Sequence, residues 1–372
     1  MNKKHLYHRH QLYAYCLFIL TISCTSNKKP LLKQNNLASQ TSSYLLQHAQ
    51  NPVNWQPWDQ KLYQEENASN KLVIVSIGYS SCHWCHVMEK ETFENKSVAD
   101  LMNEKFVNIK VDREENPDVD KVYMTAVQLL TGGGGWPLNA ICLPNGKPIY
   151  AGTYHTKKQW IGILEKIQKR YESDPKQLLE LAEKIAEGIQ SVNIIVPPEE
   201  TKPFNNSFLV DLIEEWKQNL DFDYGGEIQD QKFINPVKLD FLRVFKTTTN
   251  DSLLQKHLDL TLDKISSGGI YDALEGGFFR YSVDPYWNVP HFEKMLYDNA
   301  QNIGMFADAF KENPKPIYKD IVYETISFLK NRMSADNAGF FAAIDADNSS
   351  GEGRYYTFNK NEIETIAEDD LQ

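Results

Sequence analysis

Residues 71–94 read KLVIVSIGYSSCHWCHVMEKETFE. Lys71 to Tyr79 is a β-branched apolar run of strand length. The residues that follow have helical spacing, so a buried strand feeds directly into a helix, and Cys82 and Cys85 stand at the junction. Two thiols separated by two residues at a helix start suit exchange chemistry, because the positive end of the helix stabilises a thiolate. Cys82 is the expected exposed nucleophile. Cys85, one turn on and more buried, is expected to attack the mixed disulfide and release the substrate. His83 and His86 flank the pair with Trp84 between the sulfurs, and an imidazolium at either histidine would favour the thiolate further. A partly exposed helix histidine making one hydrogen bond is the bland alternative.

Downstream, Lys96 to Lys105 reads as a helix, Phe106 to Asp112 as a second strand and Pro117 to Leu130 as another helix. Leu138 to Leu143 and Ile149 to Gly152 then read as strands, with Asn145-Gly146 as the hairpin turn between them. A parallel pair followed by an antiparallel hairpin is the order of a thioredoxin-like α/β fold. Trp136-Pro137 immediately precedes the third strand, where that fold places a cis-proline facing the dithiol, and a cis bond is expected. Asp174-Pro175 opens an amphipathic helix with Leu178, Leu181, Ala182, Ile185 and Ile189 on one face. Residues 37–58 show no sustained period and read as a packed arm.

The 372 residues carry 50 acidic and 39 basic side chains, a net charge of −11 with no basic stripe, so nucleic acid is not an expected partner. Five cysteines are too few for a disulfide-stapled scaffold, which makes the close pair chemical rather than structural. Cys82-His83-Trp84-Cys85-His86 also satisfies the c-type haem attachment spacing. That rival sits poorly with a motif inside βαβα order. Zinc would need two further ligands, and Cys142, on a core strand, reads as a buried free thiol.

Lys3, Lys4 and Arg9 precede an apolar run from Leu12 to Ile22, about half the roughly 20 residues of a membrane span, so residues 1–23 read as an export signal. The run ends in Leu20-Thr21-Ile22-Ser23-Cys24, which resembles a bacterial lipoprotein processing site with Cys24 lipidated, although Thr21 stands where such sites carry Leu, Val or Ile. The expected location is the bacterial cell envelope, lipid-anchored at the membrane by a tether over 24–36 and periplasm-facing.

Val196 to Pro203 breaks regular structure and divides an expected first domain, 37–195, from a second, 204–372. In the second, Ser207 to Leu220, Val237 to Phe245, Ser252 to Ser266, Phe292 to Phe310 and Ile317 to Arg332 read as helices alternating with glycine-bearing loops, the pattern of an all-α, incomplete (α/α) toroid. Tyr281, Asp284, Trp287, His291, Glu293, Tyr297 and Asp298 gather around one loop and the helix after it. Aromatics with carboxylates would bind a carbohydrate, with Glu293 as acid or base and His291 and Asp298 sharing a helix face. The alternative has His291 and Glu293 capping that helix and Asp298 tethering a loop. Asp345 and Asp347 match a calcium loop only in part, so no metal or cofactor is expected.

The chain resembles the thioredoxin-domain family that includes the spermatogenesis-associated proteins. The resemblance rests on residues 35–58, NNLASQTSSYLLQHAQNPVNWQPW, on 76–94, and on 110–138, KVDREENPDVDKVYMTAVQLLTGGGGWPL. It continues in 268–301, GGIYDALEGGFFRYSVDPYWNVPHFEKMLYDNAQ, and 342–358, AAIDADNSSGEGRYYTF. It implies a thioredoxin-like domain followed by a region like six-hairpin glycosidases and sugar epimerases, with protein thiols or disulfides as substrates or redox partners. One departure is the loop Gly225 to Pro236, where the family tends to read GGFGGAPKFP. A complete toroid calls for about as many helices again, so a truncated product, or a second chain completing the toroid, is expected.

Overall fold

The computed structural model describes residues 34–59, 70–192, 194, 206–336 and 338–370. The export signal, Cys24 and the break at 196–203 lie outside the described residues. Among those described, no helix is long and apolar enough to cross a membrane.

The arm is more ordered than its sequence pattern implies. It holds a short helix α1 (Ser43–Gln47), capped by the Ser42 side chain, and a strand β1 (Trp55–Pro57). With β2 (Leu72–Gly78), β3 (Phe106–Asp112), β4 (Leu138–Cys142) and β5 (Pro148–Gly152) it forms one sheet in the order β1-β3-β2-β4-β5. β2 pairs parallel with β3 from Leu72↔Phe106 to Gly78↔Asp112, and antiparallel with β4 from Val73↔Cys142 to Ile77↔Leu138. At the β4–β5 turn Gly146 has φ 84°, the left-handed conformation that Asn-Gly hairpins use.

Every residue of β2 is buried because its two faces meet different layers. Leu72 and Ile74 pack with Met88, Phe93, Met102 and Trp160. These come from α2 (His83–Met88, continuing as a π-helical turn to Phe93), α3 (Lys96–Lys105) and α5 (Lys157–Ser173). Val73, Val75 and Ile77 pack with Tyr123, Val127 and Ile185 from α4 (Pro117–Thr131) and α6 (Pro175–Ser191). The helix α5 is additional to the expected elements. Thr156 caps it by accepting from the Gln159 backbone N–H, and Gln159 returns a bond to the Thr156 N–H.

One ammonium is folded into this core. Lys110 on β3 is 1% exposed, donates to Ser76 Oγ at 3.1 Å and lies 4.6 Å from the Phe93 ring centroid and 4.8 Å from that of Trp55. Burial pushes its pKa from 10.5 down to about 7. Between those two values the unfolded chain binds a proton that the folded chain does not, so wild-type stability rises with pH across that window. Below pH 7 the full penalty of charging a buried amine remains. Lys110→Met is therefore expected to gain on the order of 1–3 kcal/mol at pH 6, with the gain shrinking toward pH 10. Urea unfolding of both proteins at the two pH values measures this.

The second region is largely helical: α7 (Asn206–Lys217), α8 (Pro236–Thr249), α9 (Ser252–Ser267), α10 (Leu296–Glu312), α11 (Pro316–Phe328) and α12 (Lys360–Asp370). Leu242, Leu258, Phe278, Met305, Phe306 and Ile321 form its core. Short strands run between the helices: β6 (Lys232–Phe233), β7 (Tyr281–Ser282) and β8 (Pro290–His291) in one sheet, β9 (Lys294–Met295) with β10 (Ala343–Ile344), and β11 (Asp347–Asn348) with β12 (Gly351–Glu352). Here one expectation is corrected. α10 begins at Leu296 rather than Phe292, because Lys294 and Met295 pair with Ile344 and Ala343. His291 and Glu293 therefore neither cap that helix nor share its face with Asp298. Met295 instead reaches into the core of the first region.

Candidate functional site

β2 runs straight at the two cysteines. Cys82 is the N-cap residue of α2, its carbonyl accepting from the Cys85 N–H at 3.0 Å and the His86 N–H at 3.2 Å. Cys82 and Cys85 are joined in a disulfide with Cα atoms 5.2 Å apart. Gly78, the last residue of β2, makes room for it: a Cβ there would stand 2.7 Å from Cys85 Sγ and closer still to the Tyr44 hydroxyl. Gly78→Ala is expected to cost about 1–3 kcal/mol through overpacking, read as a lower urea midpoint.

The exposed Cys82 expected from the sequence is not found. Cys82 is 2% exposed and Cys85 1%. The difference comes from a cover that local sequence does not announce: Ser81 Oγ donates to Met295 Sδ at 3.7 Å, and Met295 belongs to the same buried cluster as both cysteines. Trp84, by contrast, is 46% exposed and packs against Tyr154. Cys142 is a free, buried thiol on β4, and burial pushes its pKa up to about 12.

Trp136-Pro137 is cis. It precedes β4, whose first residue pairs with Ile77, so it lies at the same end of the sheet as the disulfide. The Trp136 indole donates to Asp120 Oδ1 at 2.8 Å, packs edge-on to Tyr79, and carries the Arg113 guanidinium 4.2 Å over its ring. On the far side Arg280 lies 5.1 Å over Tyr79, donates to the Tyr79 hydroxyl and pairs with Glu293 Oε2 at 3.0 Å. Tyr79 donates to Glu293 Oε1 at 3.1 Å. Burial raises the Glu293 carboxyl above its usual range, against the opposing pull of Arg280. This trio pins the second region to the residues just before Ser80.

The two histidines of the motif complete the seam. His83 Nδ1 is 2.7 Å from Asp347 Oδ2 and its Nε2 is 3.2 Å from Glu352 Oε2, while His86 Nε2 is 2.9 Å from Asp345 Oδ2. Burial opposes the charge on His86, but the Asp345 carboxylate outweighs it and raises the imidazole pKa. Among the described residues, the group with donors close enough to hold a metal ion is His86, Asp345 and Asp347. His86, the residue a haem iron would need, is thus engaged by Asp345.

The candidates of the helical region disperse. Trp287 is 0% exposed, its indole donating to the Tyr224 carbonyl at 2.9 Å, so it offers no face to a sugar. Asp284 closes its own turn by accepting from the Tyr286 and Val289 N–H groups. Tyr281 stacks between Phe233 and His291. Burial, with His83 beside it, lowers the His291 pKa to about 4. Glu293 faces Tyr79. Tyr297 and Asp298, with Arg280, line a cavity of about 190 Å³. Burial pushes the Asp298 carboxyl up to about 6 against Arg280. Sequence reasoning missed Tyr79, Arg113, Asp120, Arg280, Met295 and Glu352. All six lie in the motifs quoted above, but Tyr79 meets Glu293, and Met295 meets Ser81, across 214 positions.

A family model described as Thioredox_DsbH, protein of unknown function DUF255, matches residues 34–190. Spermatogenesis-associated protein 20 of Homo sapiens is 37% identical over 354 residues, covering 89% of this chain and 44% of that protein. An uncharacterized protein of Caenorhabditis elegans is 37% identical over 372 residues, 94% of this chain and 49% of its own. The chain thus spans about half the length of the curated relatives it matches. Among solved structures, a DsbH oxidoreductase matches at 12% identity and TM-score 0.26, covering 32% of this chain and 85% of that one. A sugar epimerase from a ruminal bacterium matches at 16% identity and TM-score 0.33, covering 41% and 40%. With its strand order, its disulfide and its relatives in agreement, the chain belongs to the thioredoxin-domain family that includes the spermatogenesis-associated proteins, and residues 34–190 are its thioredoxin-like part.

Proposed function

We propose that the chain is a thiol–disulfide oxidoreductase acting through Cys82 and Cys85. The observation that carries the reading is the Cys82–Cys85 disulfide at the junction of the central strand and α2, at the same sheet end as the cis Trp136-Pro137 bond. In the reduced form a Cys82 thiolate attacks one sulfur of a protein disulfide, and the bonding pair leaves with the other sulfur, which takes a proton. A Cys85 thiolate then attacks Cys82 Sγ, closes the internal disulfide and expels the second substrate sulfur. Two electrons and two protons pass to the substrate, and a dithiol donor restores the enzyme. Run backwards, the same steps oxidise a substrate dithiol.

Insulin reduction by wild type and by Cys82→Ser, each with an excess dithiol donor, tests the reading, and equal rates reject it. Action in the cell envelope, anchored through a lipid on Cys24, belongs to the same proposal. It is supported by the apolar run Leu12 to Ile22 ending near that cysteine. A second reading, a partial toroid that binds carbohydrate, is favoured by the cavity holding Asp298, whose Oδ2 is buried without a hydrogen-bond partner. Val237, Phe241 and Val244 form an exposed apolar stripe on α8, which supports cover by further helices of this polypeptide or of a second chain.

A further inference from the structure

The side chains that fasten the second region across the dithiol are also a set of metal donors. His86 Nε2 and one carboxylate oxygen each of Asp345 and Asp347 lie within 4.8 Å of one another. An ion bound at about 2.0–2.2 Å holds neighbouring donors about 3.0–3.5 Å apart, so side-chain shifts of up to about an ångström bring all three onto it. Asp345 Oδ1 accepts the Asp347 backbone N–H at 3.0 Å, which orients that carboxylate and leaves Oδ2 toward His86. His83 Nδ1 stands 2.7 Å from Asp347 Oδ2 as a neighbouring nitrogen donor.

A separate observation points the same way. The His291 ring packs 5.7 Å from that of His83 and is 5% exposed, yet its Nδ1 has no hydrogen-bond partner. Its Nε2 lies 3.7 Å from Glu352, beyond a hydrogen bond. A buried imidazole nitrogen without a hydrogen-bond partner, in a ring packed on His83 and beside Glu352, is costly unless it serves a ligand.

We propose that His86, Asp345 and Asp347, with His83 beside them, bind one divalent first-row transition cation that staples the second region over the dithiol. Imidazole nitrogens mixed with carboxylate oxygens suit zinc, cobalt, manganese or iron(II) better than calcium or magnesium, which take oxygen donors almost alone. One donor set comes from the dithiol's own helix and the other from the 345–347 segment, more than 250 positions away. The ion therefore binds only the closed arrangement and favours closure by the same factor that closure favours the ion. Both sulfurs are engaged in the disulfide and take no part.

The test uses the full chain with its disulfide intact and Zn2+ as probe, by competition with a chromophoric chelator, with Co2+ absorption as the spectroscopic readout. One equivalent is expected, weakened at least about tenfold by His86→Gln and by Asp345→Asn and unchanged by Asp100→Asn. The two damaging variants sit in different regions, and circular dichroism of each reports folding directly. Saturating Zn2+ is expected to slow phosphine reduction of the wild-type disulfide at least about tenfold and to leave the Asp345→Asn rate unchanged. Equal affinity in wild type and both variants, or no binding tighter than about 100 µM, overturns the site. Bound zinc with an unaltered reduction rate overturns the staple. Binding is read without turnover, so its failure is distinguishable from failure of the oxidoreductase reading.

Discussion

Arg280→Met is expected to lower the unfolding free energy by about 3–5 kcal/mol, the loss that follows when one partner of a buried charge pair is removed. Glu293 is 1% exposed and has Arg280 and the Tyr79 hydroxyl as its partners, so without the guanidinium it is left charged in a closed interior. Protonation then becomes its cheapest escape. The Glu293 pKa, already raised by burial, rises further in the variant, so the defect is largest well above that pKa and shrinks as the pH falls through it. Arg280→Met with Glu293→Gln removes both charges and should recover a large part of the loss. Arg280→Lys keeps the charge but not the guanidinium over the Tyr79 and Trp136 rings, and should fall between.

The same variant reports on the cover. Tyr79, Arg280 and Glu293 join the two regions beside a disulfide whose sulfurs are almost wholly enclosed. Each ~1.4 kcal/mol taken from closure raises the open population tenfold, so phosphine reduction of Cys82–Cys85 in Arg280→Met should run at least about ten times faster. Thermal midpoints and reduction rates of the four proteins measure both effects. An unchanged reduction rate in a destabilised Arg280→Met would show that this trio holds fold without holding the cover.

What the sequence discloses and what it hides divide along distance. β2, α3, β3, α4 and the β4–β5 hairpin are legible because each is a local pattern: a continuous apolar run, a helical period, an Asn-Gly turn. The cis Trp136-Pro137 is legible from its place before β4. α5 is missed although the capping pair Thr156 and Gln159 announces its start. β1 is missed because three residues carry no period, and its identity as a strand comes only from pairing with Asn108 to Lys110. The start of α10 is misread because an apolar helical period runs back through Met295, and a partner strand near Ala343 overrides it. The site follows the same rule. Cys82 and Cys85 announce themselves by spacing, whereas the carboxylates that meet His83 and His86 lie in a segment whose pattern fits no complete ligand loop. Burial of Cys82 was invisible for that reason: its cover is assembled from the far end of the chain.

Cys82→Ser is expected to reduce disulfide exchange by at least about a hundredfold, since a serine hydroxyl ionises far too weakly to replace a thiolate. Cys85→Ala should behave differently. The two sulfurs are nearly equal in burial but unequal in what buries them. Cys85 lies a turn inside α2, under Gly78 and Tyr44, within the thioredoxin-like part itself. Cys82 stands at the positive end of the helical run to Phe93, next to Ser81 and the Met295 contact that the second region supplies. Opening the cover therefore uncovers Cys82 and leaves Cys85 enclosed. In reduced Cys85→Ala the first attack proceeds and the second sulfur is missing, so the substrate remains joined to Cys82 as a mixed disulfide that intact-mass spectrometry resolves. Cys142, buried and with its pKa pushed to about 12, should carry no adduct in either variant and serves as the internal control. Adducts on Cys85 in a Cys82→Ala protein, with none on Cys82 in Cys85→Ala, would reverse the assignment of nucleophile. Wild-type turnover matched by Cys82→Ser would remove the dithiol from the chemistry altogether.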